Sequence, residues 1–393
     1  MAHLHSQNGK IIPRWRIGVL GLITIAVYGT WYYAFGVLLD PIISDTGWSE
    51  SALTGAFGLS ILVGGVASLA GGWLLDRFGS RITFAIAAVV ALTLFQVAAG
   101  APSLQLFAVT AILGGGLISA LGMYHITQTV AVRISPGATT RAIAVLTIWG
   151  AFASAIYVPL TGWMVGPMGW RLTLRLISAS AALVLAIGAV AIDVKVAASR
   201  DVGIWRGLGT SLRSKAARRF VLAVGLVGIG GATLLVYQVP AMTAAGLPLG
   251  VASFWAGARG FAQLGGRLPL MPIVARLGVS GSFRLAIVAI SAGMVILAFA
   301  GTPLLAAVFA VVAGFGIGAL SPLQGMQSHQ LFGESSLGTA MGLTSFVFLV
   351  MGAAGPAMAG VVAEASGSRA VPVLAAAAVT LAGVFVTPST REA

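Results

Sequence analysis

"GGWLLDRFGSR", residues 71–81, places three charged residues, Asp76, Arg77 and Arg81, between two long apolar runs. Gly79 stands among them, where glycine permits a turn that a side chain would oppose. The flanking runs, 52–75 and 82–100, each have about the 20 residues that cross roughly 30 Å of hydrocarbon as a helix. The sequence here indicates two membrane helices joined by a short charged turn.

The same apolar pattern extends along the whole chain. Hydrophobic residues make up 58% of the sequence and charged residues 8%, against roughly 25% charged residues in soluble domains. Apolar runs long enough to cross a bilayer occur twelve times. We therefore predict an all-α membrane protein with twelve transmembrane helices, at 17–39, 52–75, 82–100, 105–131, 141–165, 172–192, 219–241, 249–271, 283–301, 304–325, 335–363 and 369–386.

Basic residues are distributed unevenly between the predicted loops. If the N-terminus is cytoplasmic, most of the basic loop residues are cytoplasmic too, and only Arg171, Arg175 and Arg369 lie outside. This asymmetry usually sets orientation, so we expect a multi-pass protein of the inner or plasma membrane with both termini cytoplasmic. The first helix is expected to be retained, because no signal-peptidase-like site follows it. The net charge of +13 is then explained by topology, and no nucleic-acid partner is expected.

Three sequence patterns recur about half a chain length apart. The segment 41–47 has the spacing of 240–246, "LDRFG" (75–79) resembles "VARLG" (274–278), and "GWMVGPMGWR" (162–171) resembles "GVVAEASGSR" (360–369), all at an offset of 199 or 198 residues. Internal repeats of this kind are typical of transporters built from two similar halves. We predict two pseudo-symmetric six-helix bundles. The expected domains are a cytoplasmic tail (1–16), the first bundle (17–192), a basic cytoplasmic linker (193–218), the second bundle (219–386) and a cytoplasmic tail (387–393).

The charged turn resembles the G-x-L-x-D-R-x-G-x-R signature of the major facilitator superfamily. The resemblance implies that family's twelve-helix fold, transport by alternating access, and a charged latch that pairs with a neighbouring helix. Ala275 replaces the aspartate in the second half, so a latch there is expected to be weaker. The matching residues are Gly72, Leu74, Asp76, Arg77, Gly79 and Arg81, and the expected latch residues are Gly72, Asp76, Arg77, Gly79 and Arg81.

A second stretch, "WAGARGFAQLGGR" (255–267), puts Arg259 about halfway along a predicted membrane helix. A charge at that depth costs at least about 2.5 kcal/mol unless it faces a cavity or a partner. The sequence offers no acidic residue at the same depth, since the nine acids fall in loops, in tails or near helix ends. We therefore expect Arg259 to bind an anionic substrate through its planar fork. The alternative is a structural arginine that bonds backbone carbonyls or glutamines.

Two longer stretches resemble the monocarboxylate transporter branch of the superfamily. They are "YYAFGVLLDPIISDTGWSESALTGAFGL" (32–59) and "QVPAMTAAGLPLGVASFWAGARGFAQLGGRL" (238–268). The resemblance implies that Arg259 meets a substrate carboxylate. Some members of that branch carry an acid one turn before this arginine and a lysine in the first helix. Here Trp255 takes the place of the acid and no lysine lies between Lys10 and Lys195, so proton coupling is left open.

Further polar and aromatic residues within the spans are candidates for the substrate site. Gln263 and Trp255 lie one turn from Arg259 on the same helix face. His125 is a candidate for coupling because histidine titrates near neutral pH, although a lone histidine is more often a structural group. The complete set of expected substrate-binding residues is Arg259, Gln263, Trp255, Tyr237, Gln238, Tyr33 and Tyr124.

These observations predict a secondary transporter of a small organic anion, foremost a monocarboxylate. A rival hypothesis is export of a drug-like or amphipathic compound, and a less favoured one is a membrane sensor that transports nothing. The chain shows no Walker A loop, zinc-spaced His/Cys set or G-x-S-x-G elbow, so we expect neither an enzyme nor a metal or other cofactor. We expect a functional monomer whose partners are the anion, protons if transport is coupled to them, and the lipid bilayer.

Overall fold

The computed structural model describes residues 14–135, 138–194 and 214–388. Most of the predicted N-terminal tail, linker and C-terminal tail lies outside these residues. The described chain is helical, and its first bundle contains α1 (Arg14–Val27), a π-helix, π1 (Tyr28–Tyr33), α2 (Phe35–Thr46), α3 (Glu50–Gly100), α4 (Leu104–Gly122), α5 (Tyr124–Ile134) and α6 (Thr139–Ala191). The second bundle contains α7 (Lys215–Ala244), α8 (Leu249–Arg267), α9 (Leu270–Ala298), α10 (Pro303–Ser366) and α11 (Ala370–Val386).

The helices account for twelve membrane spans, as predicted. Eight stretches of the described chain are long and apolar enough to cross a bilayer, and two of them, within α3 and α6, are 51 residues long. Each of these two divides into a pair of spans where a glycine leaves helical geometry, at Gly79 and Gly169. The shorter helix α11 and the arginine-containing helix α8 complete the set.

The twofold repeat is visible in the backbone. In the described chain, every residue with positive φ is a glycine that belongs to one of the three recurring sequence patterns. Gly79 and Gly278 have nearly the same conformation, with φ and ψ of 83° and 176° against 69° and 173°. Only glycine adopts this conformation without strain, so the paired glycines turn one span into the next at matching places. The pairs are Gly47 with Gly246, Gly79 with Gly278, and Gly169 with Gly367.

The two bundles meet chiefly along two helix pairs, α3 with α10 and α6 with α8, and also where α2 contacts α7. At Gly58 of α3, an added Cβ would lie 2.3 Å from the carbonyl oxygen of Ala353 in α10. At Gly257 of α8, an added Cβ would lie 2.7 Å from the Pro159 ring in α6. Small residues let helices approach this closely in membranes. The bundles are therefore in backbone contact around the centre of the protein.

The helix bounds differ from the predicted ones by a few residues. The first helix begins at Arg14, and α7 begins at Lys215, where Ser214 accepts a capping hydrogen bond from the Ala217 N–H. Both helices begin at a basic residue, before the apolar runs that predicted the membrane spans. The predicted bundle limits of 17–192 and 219–386 thus stay close to the helical limits, and the division into domains stays a prediction.

Candidate functional site

A cavity of about 100 Å³ lies between the bundles. A volume of this size holds several water molecules or a small organic ion. The first bundle contributes two tyrosines from π1, and the second bundle contributes the rest of the wall. The lining residues are Tyr32, Tyr33, Val227, Gly231, Leu234, Leu235, Arg259, Gln263, Ile290, Ile317, Leu320 and Phe348.

Arg259 is buried in the wall of this cavity, with 3% of its surface exposed. Its Nε donates a hydrogen bond of 2.9 Å to Oε1 of Gln238, whose own amide donates to the carbonyl of Leu235. Within the described chain no carboxylate lies within 4.0 Å of the guanidinium, and its two terminal nitrogens donate to no protein acceptor. The alternative of a structural arginine that bonds to a glutamine therefore explains only the hydrogen bond of Nε. The terminal fork has no protein partner among the described residues.

The π-helix brings three tyrosines together, and two of them, Tyr32 and Tyr33, line the cavity with Arg259. The Ala34 N–H bonds to the carbonyl of Gly29, five residues back, and a turn of this width puts residues five apart on one face. The rings of Tyr28 and Tyr33 lie 6.1 Å apart and those of Tyr32 and Tyr33 lie 5.3 Å apart. Tyr32 and Tyr33 both stand close enough to Arg259 to interact with its charge. π-turns inside helices are frequent at functional sites.

Some of the predicted site residues gather at this cavity. Gln263 and Tyr33 line it together with Arg259. Gln238 is 1% exposed and positions the arginine through its side-chain oxygen. Tyr32 also lines the cavity, although only Tyr33 of this pair was among the expected substrate-binding residues.

Other predicted site residues make different contacts. Tyr237 donates a 2.7 Å hydrogen bond to Oε1 of Glu50 and does not line the cavity. The ring of Trp255 packs against Phe254. Tyr124 packs against Tyr28 and donates to the carbonyl of Thr147.

The coupling candidate His125 sits at the start of α5. Its Nε2 lies 2.9 Å from the carbonyl oxygen of Ala120, so this nitrogen carries the proton in the neutral ring. The histidine bridges the break between α4 and α5. This is the bond expected of a structural histidine.

The motif 71–81 pairs with a neighbouring helix, as its resemblance implied. Asp76 forms an ion pair with Arg133 at the end of α5, inside the first bundle. Arg77 lies over the ring of Phe78, 5.8 Å from its centre, and Arg81 is exposed.

The glycines of this motif have separate roles. An added Cβ at Gly72 would meet nothing within 4 Å, whereas one at Gly71 would lie 2.2 Å from the carbonyl oxygen of Ala120. Close helix packing therefore depends on Gly71 and not on the predicted Gly72. Gly79 makes the turn, as expected.

An ionic network that the sequence did not predict joins the bundles at the predicted outer end. Arg369, just before α11, pairs with Asp40 and with Glu50, the latter at 3.2 Å. Tyr237 bonds to the other oxygen of Glu50, and Thr243 donates to Asp40. Asp40 and Glu50 belong to the first bundle and their partners to the second. We call Asp40, Glu50, Tyr237 and Arg369 the outer seal, since they hold the two bundles together at this end.

The family model for the Major Facilitator Superfamily matches residues 20–258. The chain belongs to this superfamily. The match ends one residue before Arg259, so family membership rests on the scaffold and not on the arginine. No curated protein sequence matches the chain significantly.

Solved structures share the fold along nearly the full length of this chain. A mutant of the nucleoside transporter NupG is 12% identical with a TM-score of 0.81, covering 95% of this chain and 98% of its own. A POT family transporter in complex with 5-aminolevulinic acid is 13% identical with a TM-score of 0.71, covering 95% of each chain. A bacterial homolog of the human lysosomal transporter Spinster is 16% identical with a TM-score of 0.68, covering 97% of this chain and 95% of its own. At these identities the likeness establishes the fold and leaves the substrate open.

Proposed function

We propose that this protein is a secondary transporter of a small organic anion, a monocarboxylate, which Arg259 binds between the two bundles. The observation that carries the proposal is the buried guanidinium on the cavity wall, whose Nε is fixed by Gln238 and whose terminal nitrogens have no partner in the described chain. Such a fork matches the two oxygens of a carboxylate. A bound anion also offsets the cost of a cation at this depth.

The neighbouring tyrosines support the same assignment. Tyr32 and Tyr33 line the cavity, and neither hydroxyl forms a hydrogen bond with another described residue. Phenolic O–H groups donate to anions, so either hydroxyl can add a bond to a carboxylate held by Arg259. The resemblance of 32–59 and 238–268 to the monocarboxylate branch points in the same direction.

The closed outer seal supports alternating access as the mechanism. The seal joins the bundles at one end, while the cavity lies deeper, where Gly58 and Gly257 bring the bundles into backbone contact. Rocking of the bundles about these contacts exposes the central site to either side in turn. We propose that the seal lies on the extracellular face of the inner or plasma membrane and that both termini are cytoplasmic, because the basic loops favour that orientation.

Uptake into proteoliposomes tests the proposal, with radiolabelled butyrate as the probe. Arg259→Lys keeps the charge but loses the fork. A hydrogen bond to a charged group is worth about 1.5–3 kcal/mol, so we expect the KM to rise by about tenfold or more.

The matched control is Arg267→Lys on the same helix. Arg267 bonds to the carbonyl of Gly318 and does not line the cavity, so uptake by this variant should stay near that of the parent. Near-normal uptake by Arg259→Lys would contradict the proposal. Uptake under an imposed pH gradient decides whether protons accompany the anion.

A further inference from the structure

The polar and the apolar parts of the cavity wall come from different helices. The polar lining comes from π1 and α8, which contribute Tyr32, Tyr33, Arg259 and Gln263. The lining from α7, α9 and α10 carries no hydrogen-bonding side chain. That part of the wall consists of Val227, Gly231, Leu234, Leu235, Ile290, Ile317, Leu320 and Phe348.

We propose that the substrate is a monocarboxylate with a plain hydrocarbon tail, which packs against this apolar wall, and that Gly231 sets the size of tail that fits. This inference rests on the proposed function, because it takes the carboxylate to be bound at Arg259. A hydroxyl or second carboxylate on the tail would lose its water against leucine, isoleucine and phenylalanine side chains. Groups buried without a partner in this way weaken binding.

The cavity has one cation for one carboxylate. Among the described residues that line it, Arg259 alone is charged. A dicarboxylate would therefore bury its second charge without a counterion, which is far more costly than burying a neutral polar group. The same argument disfavours substrates rich in hydroxyls or amides.

Gly231 differs from the other glycines of its helix. An added Cβ at Gly228 would lie 2.4 Å from the Phe348 carbonyl oxygen, and one at Gly230 would lie 1.7 Å from Thr380 Oγ1. At Gly231 the nearest atom is Cζ of Phe348, at 3.8 Å. Gly228 and Gly230 are thus needed for helix packing, whereas Gly231 leaves space beside Phe348 inside the cavity. A larger side chain at this position would occupy the space that we assign to the tail.

The inference is tested by competition against labelled butyrate uptake in proteoliposomes. The unlabelled competitors are acetate, propionate, butyrate, isovalerate, 3-hydroxybutyrate and succinate. Each methylene from acetate to butyrate should lower the inhibition constant by about fourfold, since burial of one methylene is worth about 0.8 kcal/mol. 3-Hydroxybutyrate should bind at least about tenfold more weakly than butyrate, and succinate should not compete.

Gly231→Leu should remove most of the roughly 16-fold preference for butyrate over acetate that two methylenes give the parent. We expect butyrate and isovalerate to weaken by about tenfold or more and acetate to stay within about threefold of its parental value, because only the tail space is filled. The control is Gly166→Leu in α6, away from the cavity, where an added Cβ meets nothing within 4 Å. This control should keep the parental order.

The outcomes separate the two proposals. If the parent takes up carboxylates but binds 3-hydroxybutyrate or succinate as well as butyrate, the tail inference fails while the proposed function stands. An unchanged preference for butyrate over acetate in Gly231→Leu would also overturn the role of Gly231. If the parent takes up no carboxylate at all, the proposed function fails and this inference fails with it.

Discussion

Arg369 holds the outer seal closed, and its replacement by glutamine should open the predicted outer end. Its guanidinium bonds to Glu50 at 3.2 Å and pairs with Asp40 across the boundary between the bundles. Arg369→Gln removes the positive charge and leaves two carboxylates facing each other near the seal. The outer-closed state loses these contacts, whereas a state with separated bundles does not make them.

The size of the effect follows from the exposure of the partners. The Glu50 side chain is 12% exposed, so its bond to Arg369 counts among hydrogen bonds to charged groups, worth about 1.5–3 kcal/mol. The Asp40 side chain is 32% exposed, so its pair adds at most about 1 kcal/mol. Allowing for water that replaces part of the loss, we expect about 2 kcal/mol, or roughly a 30-fold shift towards the outer-open state.

Thiol labelling measures this shift, because the natural sequence contains no cysteine. Ser253 is fully buried where α8 meets α6, beside Gly162, and Ser253→Cys places a single thiol there. In nanodiscs, where both faces of the protein are accessible, a maleimide reacts only when the bundles separate. When opening and closing are fast, the labelling rate is proportional to the open fraction. Arg369→Gln should therefore raise the rate by about 30-fold.

Arg171 supplies the matched control, since the repeat pairs it with Arg369. It bonds to Asp45, Ala99 and Ala101, all within the first bundle. Arg171→Gln should therefore leave the labelling rate within about twofold of the parent. If both variants label at the same rate, or if Arg369→Gln labels no faster than the parent, the reasoning about the seal is refuted.

Two further predictions concern the latch and the contact between bundles. Asp76→Asn should lower the melting temperature by about 1 °C, because it removes a partly exposed ion pair worth about 1 kcal/mol at most. Exchanging the charges (Asp76→Arg with Arg133→Asp) should restore the melting temperature, and failure of the exchange to do so would argue against the pair. Gly58→Ala should reduce uptake by at least about fivefold, because its methyl group would lie 2.3 Å from a backbone carbonyl oxygen of the other bundle. The control Gly55→Ala, whose methyl group would meet nothing within 4 Å, should transport normally, and equal uptake by both variants would exclude a tight contact at Gly58.

The twelve spans and the twofold repeat were predictable because they depend on local sequence. The apolar runs are long, and glycines such as Gly79 and Gly278 mark turns that only glycine makes without strain. The buried arginine was also predictable, because a charged residue within an apolar run, with no acid at the same depth, can be recognised from the sequence alone.

The outer seal was not predictable from the sequence, because its partners are far apart along the chain. Glu50 and Arg369 are separated by 319 positions, and the acids near helix ends resembled ordinary loop residues. The contact of Tyr237 with Glu50 also joins distant parts of the chain, so the sequence did not show it and Tyr237 was predicted in the substrate site. The sequence indicates which helix contains Tyr237 and its depth in the membrane, but the direction of its side chain towards Glu50 depends on how the bundles pack.

The π-helix was also missed, and with it the role of Tyr32. A sequence pattern read with a period of 3.6 residues cannot show a local change to a wider turn. The signal in "YGTWYY" (28–33) is the crowding of aromatic residues around Gly29. An added Cβ there would lie 2.1 Å from the ring of Tyr157, so helix packing as well as sequence determines this segment.

The position of a bound carboxylate tests the central claim most directly. A structure of the protein with (E)-4-bromobut-3-enoate, whose vinylic bromine is not displaced by its own carboxylate, fixes both ends of the ligand when the bromine is located by its anomalous scattering. We predict that both carboxylate oxygens lie within hydrogen-bond distance of the two terminal nitrogens of Arg259, with the bromine near Phe348. A carboxylate bound elsewhere, with the Arg259 fork bonded to protein groups, would contradict the account.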